Sequence, residues 1–266
     1  MKFGTLKKRM EYFKNLTDYR LIPNSYIIVM VDGNNFRHMV KNRYKLPFDD
    51  EFISMMNETA IYVCENVQGC KIAYTQSDEI SFIITDFDTP DSGSFYGLRL
   101  CKMQSVIASL ATARFNQLAM VKIATTPASQ SDICQMMEDY IPVQFDCKAW
   151  NVPTYNDSFA WLKYRQIDCV RNSKQQAAQE YLSYSALLGK DADKQIEMLK
   201  EAEGIDWNTD YDNGKKYGRL IYKEAEEFDD PKYGKYIRTL LKAHNSNGMI
   251  TKEWFDQLGV VPNREN

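Results

Sequence analysis

Two strand-like stretches, each with acidic residues at one end, constrain the fold most. YIIVMVDG (26–33) is a continuous apolar run that ends in Asp32 and Gly33, which is typical of a buried strand. The stretch CKIAYTQSDEISFIITD (70–86) places the adjacent acids Asp78 and Glu79 between two strand-forming runs. An ionised carboxylate beside buried strands loses hydration unless a cation meets it. The sequence therefore predicts that these acids face a cation.

The order of predicted elements indicates a fold class. Helices are predicted over 5–16, 36–45, 49–67 and 94–119, and strands over 26–33, 71–76, 80–86 and 142–153. From the first of these strands onward, the order approximates β–α–β–β–α–β, the ferredoxin-like arrangement of polymerase palms. We therefore expect an α/β (α+β) fold with a polymerase-like palm and added helices.

The last third of the chain is predicted to be mainly helical. Helices are expected within 158–188 and 194–204, followed by a hairpin around Tyr211–Lys223 and one more helix after Asp230. We expect residues 1–150 to form the palm-type catalytic core. Residues 151–266 are expected to be a helical and hairpin elaboration packed on it, not an independent domain.

Net charge and cysteine content indicate which partners and cofactors to expect. The net charge is −3, so a nucleic-acid partner would have to be held by local basic clusters, such as 1–10 and 213–223. The six cysteines form no CxxC motif and there are two histidines, which argues against structural zinc. No apolar run reaches the roughly 20 residues of a membrane span. With no signal peptide in front, the cysteines predict a reduced, cytoplasmic protein.

The acids point to magnesium if their strands are neighbours. In a βαββαβ sheet Asp32 and Asp78 can approach each other, and two carboxylates repel unless a cation lies between them. Magnesium prefers hard oxygen ligands and keeps positions for phosphate and water, and the Gly33 carbonyl can also approach it. A pair of such ions can activate a hydroxyl and stabilise a pyrophosphate leaving group. Taken alone, each acidic motif is ordinarily an exposed turn, but the combination favours a metal site.

A phosphate site is expected directly after the first strand. Backbone N–H groups of Asn34, Asn35 and Phe36, at a helix start, can bind triphosphate oxygens. Nearby cations can neutralise the phosphates, namely Arg37, Lys41, Arg43 and Lys45. His38 and His244 have no partner at a nucleophile spacing, and the sequence contains neither GxxxxGK[ST] nor GxGxxG.

Four motifs together resemble the tRNA-His guanylyltransferase family over roughly residues 1–225. They are VDGNNF (31–36), AYTQSDEISFII (73–84), FDCKAWNVP (145–153) and YRQIDCVRNS (164–173). The resemblance implies a palm with added helices, often a homotetramer. It also implies an enzyme that adds nucleotides to an RNA 5′ end in the 3′→5′ direction. ATP or GTP activates the 5′-monophosphate, the 3′-hydroxyl of an incoming nucleotide attacks it, and two magnesium ions serve both steps.

The resemblance also implies roles for individual residues. Asp32, Gly33 and Asp78 would bind metal, and Glu79 would support the site as a third catalytic residue. Nucleotide contacts are implied for Ser77, for residues 32–37 and for Lys194, and Lys45 joins them as a nearby cation. The candidate RNA contacts are Lys148, Arg171, Asn172, Lys215 and Lys216.

One departure bears on the substrate. Where the eukaryotic enzymes carry a histidine that reads the anticodon, this sequence has Val170, followed by Arg171 and Asn172. The chain therefore resembles the bacterial, archaeal or phage branch, whose activity is template-dependent repair of tRNA 5′ ends. Repair and addition of a guanosine to tRNA-His both remain open.

Two alternatives use the same residues. A palm-fold nucleotide cyclase would use the two acids to join a nucleotide to itself or to a second copy. A non-catalytic nucleotide- or RNA-binding module would keep the fold without the chemistry. Replacing Asp78 by alanine separates catalysis from binding, because it removes a metal ligand but no RNA-binding cation.

Overall fold

A single antiparallel sheet organises the chain in the computed structural model, which describes residues 4–34, 36, 43–89, 91–232 and 234–263. Its strands are β1 (Tyr26–Asn34), β2 (Cys70–Gln76), β3 (Glu79–Ile84), β4 (Gln144–Val152), β5 (Arg219–Asp230) and β6 (Gly234–Asn245). The strand order is β4-β1-β3-β2-β5-β6. The first four strands have the ferredoxin-like arrangement, so the predicted fold class is confirmed.

Helices cover the sheet and are specified locally by their caps. Those described are α1 (Leu6–Asn15), α2 (Asp50–Asn66), α3 (Leu100–Thr125), α4 (Gln130–Glu138), α5 (Tyr155–Tyr181), α6 (Tyr184–Leu187), α7 (Ala192–Glu203), α8 (Trp207–Asp210), α9 (Asn213–Tyr217) and α10 (Lys252–Leu258). Asp49 caps α2 by accepting a hydrogen bond from the Phe52 amide at 2.8 Å. Thr154 and Asp157 form a reciprocal capping box at the start of α5.

The two faces of the sheet bury separate cores. Alternating β1 residues such as Val29 face a core shared with α2 and α3, whereas Ile28 faces a core shared with α5 and α10. Because side chains alternate along a strand, an apolar run on both faces requires layers on both sides. No helix in the described part of the chain is both long and apolar enough to cross a membrane.

The hairpin predicted around Tyr211–Lys223 is wrong. Asn213–Tyr217 forms α9, and the hairpin lies further on, where β5 pairs with β6 along its whole length. Gly218 ends α9 at a φ of 75°, and a side chain there would lie 2.4 Å from the Tyr74 hydroxyl. β6 was not predicted because most of its residues are exposed and form no apolar run.

Other boundaries also differ from the predictions. The helix predicted over 94–119 begins only at Leu100, because Tyr96, Gly97 and Leu98 adopt positive φ angles of 49°, 58° and 59° that interrupt a regular helix. α4 was not predicted. The helix predicted over 36–45 falls mainly on residues 37–42, outside the described residues. The division of the chain at residue 150 stays a prediction.

Candidate active site

The end of β1 lies beside the connection between β2 and β3. β1 pairs antiparallel with β3 and places Asp32 opposite Glu79. Two residues, Ser77 and Asp78, join β2 to β3, and the Gly33 N–H donates to the Asp78 carbonyl oxygen at 3.0 Å. Two acids that are far apart in the sequence are thus brought to the same end of the sheet.

The acids are held where their charges are unfavourable. Burial, followed by the Asp78, Glu79 and Asp146 carboxylates, raises the pKa of Asp32 to about 6, and Lys148 opposes part of this rise. Burial also raises the pKa of Asp78, against a hydrogen bond that Ser77 Oγ donates to Asp78 Oδ1 at 2.9 Å. A cation between Asp32 and Asp78 would relieve this repulsion.

Glu79 differs from the other acids because it already has a cationic partner. Its side chain is buried, and Arg165 of α5 donates to it through both Nε, at 2.7 Å from Oε1, and Nη2. Arg165 also pairs with Asp168 at 3.0 Å. Burial raises the pKa of Glu79 and the Arg165 pair opposes that rise. The geometry therefore favours a supporting role for Glu79 beside Asp32 and Asp78 over ligation of a cation.

The donor set fits magnesium that arrives together with a phosphate ligand. Asp32, Asp78 and the Gly33 carbonyl offer hard oxygen atoms, which magnesium requires. Within the described ranges, no group of three or more His, Cys, Asp or Glu side chains is placed to hold a metal ion. Magnesium commonly binds through one or two carboxylates and takes its other ligands from substrate phosphates and water.

The turn after β1 is fixed by an aromatic anchor. The Phe36 side chain is buried, with its ring centroid 4.8 Å from that of Phe145 and 5.3 Å from that of Phe115. A Cβ on Gly33 would lie 2.4 Å from the Phe36 ring, so this close approach requires glycine. Asn34 is exposed at the end of β1, and the predicted contacts Asn35 and Arg37 lie outside the described residues.

A cavity of about 720 Å³ opens beside the β2–β3 connection. It lies between the end of the sheet, the start of α2, the middle of α5 and α9, and its size is typical of small-molecule sites. Several of the predicted binding residues line it: Phe36, Lys45, Ser77, Asp78, Asn172 and Lys215. Asp32, Gly33 and Asn34 do not line this cavity.

Two predicted basic contacts lie elsewhere. Lys194, near the start of α7, is exposed and pairs with Glu197 at 2.9 Å, outside the lining of the cavity. Lys148 is exposed on β4, in register with Met30 of β1, on the strand next to the one that carries Asp32. The structure thus places Lys148 close to the acids and Lys194 away from the cavity.

The remaining predicted RNA contacts are already paired within the fold. Arg171 forms a salt bridge with Asp168 and keeps 60% of its side chain exposed. Lys215 pairs with Asp50 at 2.6 Å. Lys216 is buried, and its Nζ donates to the Asn208 carbonyl oxygen at 2.7 Å. Of these three cations, Arg171 is therefore the most accessible to an external anion.

Sequence reasoning missed three charged residues near the site. Asp146 lies directly opposite Asp32 across β1 and β4, and the FDCKAWNVP motif contains it. Arg165 lies in the YRQID stretch, but only the packing of α5 on the sheet brings it to Glu79. Arg219 lines the cavity from the start of β5; it lies in the basic cluster 213–223, but nothing in the sequence separated it from the other cations of that cluster.

Comparison with known proteins places the chain among related sequences. The sequence model of the family described as tRNAHis guanylyltransferase matches residues 7–153, which is more than half of the chain. The uncharacterized protein R259 of Acanthamoeba polyphaga mimivirus is 25% identical over 84% of this chain and 79% of its own length. tRNA(His) guanylyltransferase 1 of Arabidopsis thaliana is 26% identical over 71% of this chain, which spans only 32% of that relative.

Solved structures show the same fold along nearly the whole chain. A bacterial tRNA(His) guanylyltransferase (Thg1)-like protein in complex with ATP is 27% identical, with a TM-score of 0.80 over 97% of this chain and 99% of that one. A Thg1-like complex with GTP gives a TM-score of 0.75 at 27% identity. The enzyme from Saccharomyces cerevisiae, at 22% identity and a TM-score of 0.64, shows likeness of fold alone.

Proposed function

The chain belongs to the tRNA-His guanylyltransferase family, a family of nucleotidyltransferases, and from this membership we propose that it adds nucleotides to a tRNA 5′ end in the 3′→5′ direction. In this reaction ATP or GTP activates the 5′-monophosphate, and the 3′-hydroxyl of an incoming nucleoside triphosphate attacks it. The ATP and GTP complexes of the similar bacterial proteins support the choice of nucleotides.

The observation that carries the proposal is the meeting of Asp32 and Asp78 at one end of the sheet. Burial and neighbouring carboxylates raise the pKa of Asp32 to about 6, so the two acids form a costly arrangement that a cation stabilises. Two magnesium ions, held by Asp32, the Gly33 carbonyl and Asp78, would activate the attacking hydroxyl and stabilise the leaving pyrophosphate.

The protein groups around these acids bind and orient the substrates. Ser77 and Asp78 line the cavity, where Lys45 supplies positive charge toward a nucleotide phosphate. Glu79, fixed by Arg165, holds the start of β3 and therefore the connection that carries Asp78. Asn35 and Arg37 remain sequence-based candidates for contacts to the triphosphate.

The RNA substrate is the finer part of the proposal. Because the position of the anticodon-reading histidine is Val170, we favour template-dependent repair of tRNA 5′ ends over dedicated maturation of tRNA-His. With a net charge of −3, tRNA must be held by local cations, of which Lys148 and Arg171 are exposed. Asn172 lines the cavity one residue further along α5.

The experiment uses a 5′-³²P-monophosphorylated tRNA that lacks its first nucleotide, together with ATP, GTP and magnesium. We expect a product one nucleotide longer, whose identity follows the base on the opposing 3′ strand. Addition of guanosine alone to tRNA-His, whatever base lies opposite, would replace repair by tRNA-His maturation. If no tRNA is extended, the proposal is overturned, and the nucleotide cyclase and the non-catalytic binding module become the functions to test.

The homotetramer implied by the resemblance stays a prediction. Light scattering on the purified full chain measures its mass in solution. A mass four times that of the 31.0 kDa chain is expected, and a monomer would exclude the tetramer.

A further inference from the structure

Arg219 is a buried cation whose hydrogen-bond acceptors, among the described residues, are all neutral. It is 4% exposed, at the start of β5. Its Nε donates to Thr75 Oγ1 at 3.2 Å and to Asn57 Oδ1 at 3.3 Å, and its Nη1 donates to the Gly214 carbonyl oxygen at 3.1 Å. All three acceptors are neutral. Nη2 has no hydrogen-bond partner among the described residues.

Arg165, the other arginine beside the site, shows the kind of partner that Arg219 lacks. Arg165 is similarly enclosed, but two carboxylates, Glu79 and Asp168, neutralise it. A buried guanidinium without such a partner lowers the stability of the fold, because its charge has lost hydration and the N–H groups of Nη2 remain unpaired. Burial accordingly lowers the pKa of Arg219. A buried guanidinium of this kind is expected where an anionic group of a ligand supplies the missing negative charge.

The cavity supplies the route for such an anion. Arg219 lines the same space as Lys45, Ser77 and Asp78. The adjacent Lys215 is already paired with Asp50 at 2.6 Å and Asp212 at 3.3 Å, and Lys45 is exposed to solvent. Among the described residues that line the cavity, Arg219 is therefore the buried cation that has no carboxylate as a hydrogen-bond partner; Asp212 attracts it, but that carboxylate is already paired with Lys215.

We propose that Arg219 binds a phosphate oxygen of the nucleotide in this cavity, an inference that rests on the proposed function. Nε and Nη1 anchor the guanidinium to β2, α2 and α9, and the buried Nη2 is the nitrogen left unpaired, which a ligand reaches once the cavity wall adjusts around it. A nucleobase carbonyl could also accept this hydrogen bond, but it would leave the positive charge uncompensated. The charge therefore selects phosphate over the base.

The test measures binding of inorganic tripolyphosphate, ATP, GTP and guanosine to the full chain by calorimetry. Arg219→Gln is expected to weaken tripolyphosphate, ATP and GTP alike by tenfold or more, and to leave guanosine unchanged. The control is Arg114→Gln on α3, where Arg114 pairs with Glu58 at 3.2 Å outside the cavity, and it is expected to bind like the wild type.

The outcomes separate the inference from the function. If the wild type binds neither nucleotides nor tripolyphosphate, the proposed function fails. If the wild type binds them and Arg219→Gln binds them equally well, the inference alone is overturned. The inference is also overturned if Arg219→Gln loses affinity only for GTP and guanosine. Should Arg219→Gln not fold, Arg219→Lys decides: a severalfold weaker tripolyphosphate affinity supports the contact, and an unchanged affinity overturns it.

Discussion

The backbone N–H of Gly33 donates a hydrogen bond to the carbonyl oxygen of Asp78, with 3.0 Å between nitrogen and oxygen. This bond joins the end of β1 to the connection between β2 and β3. It therefore fixes the distance between the segments that carry Asp32 and Asp78 before any metal or nucleotide is bound. Acids preorganised in this way would need little rearrangement to bind the proposed cation.

Replacing Asp78 by alanine is expected to lower nucleotide addition by at least about 100-fold, because it removes a ligand for the cation that stabilises developing charge. Affinity for tRNA should be unchanged or slightly higher, because a negative charge has been removed. Primer-extension and filter-binding assays measure the two properties. Asp229→Ala, an exposed acid on β5, is the control and should retain both. Full activity of Asp78→Ala would contradict the assignment.

Replacing Gly33 by alanine is expected to destabilise the protein by about 1–3 kcal/mol, because the added Cβ meets the Phe36 ring at a distance where atoms overlap. Urea denaturation measures the loss. Adding Phe36→Leu provides space, so the double variant should lose less stability than the sum of the two single variants. Additive losses would show that the ring is not what excludes a side chain at Gly33.

Replacing Asp32 by asparagine is expected to inactivate the enzyme but stabilise the folded chain, measured without magnesium or nucleotide at neutral pH. The pKa of Asp32 is raised to about 6, so above that pH the ionised group is less favourable in the folded than in the unfolded state. Because the group is partly exposed, we expect a gain of roughly 1 kcal/mol after screening by water. Thermal melting checks this, and Asp229→Asn should melt like the wild type. A lower melting temperature for Asp32→Asn would contradict the argument.

Breaking the Glu79–Arg165 pair is expected to lower the free energy of unfolding. Arg165→Met leaves the buried Glu79 carboxylate unpaired, which should destabilise the protein by about 3–5 kcal/mol. The double variant Glu79→Leu/Arg165→Met should recover most of that loss, because both charges are gone. Equilibrium unfolding in urea measures both effects.

An exposed ion pair provides the control for the Arg165→Met and Glu79→Leu/Arg165→Met variants. Removing Lys235, which pairs with Glu227 at 3.2 Å on the surface of the β5–β6 hairpin, should cost less than about 1 kcal/mol. If Arg165→Met costs no more than the surface variant, Glu79 is not held by this pair and its supporting role is lost.

Local patterns were sufficient to predict the central strands and the residues at their ends. The apolar run of β1, the turn between β2 and β3 that contains Ser77 and Asp78, and the helix α2 depend on neighbours in the sequence, and the structure has them close to the predicted positions. The hairpin was misplaced because β6 is largely solvent-exposed and the second part of β5 alternates between exposed and half-buried residues. With few apolar side chains, β6 has no alternation that identifies it as a strand.

By itself, the sequence determined the palm-like order of strands and helices and the pair Asp32 and Asp78, because periodicity and turn chemistry act over a few residues. Only the tertiary structure decided which charges meet. Arg165 reaches Glu79 across 86 residues, whereas Arg219 donates only to neutral oxygen atoms of the described residues. Such pairings depend on how α5 and β5 pack against the sheet. Packing sets the distance and hydration of each charge, and neither is encoded in a local pattern.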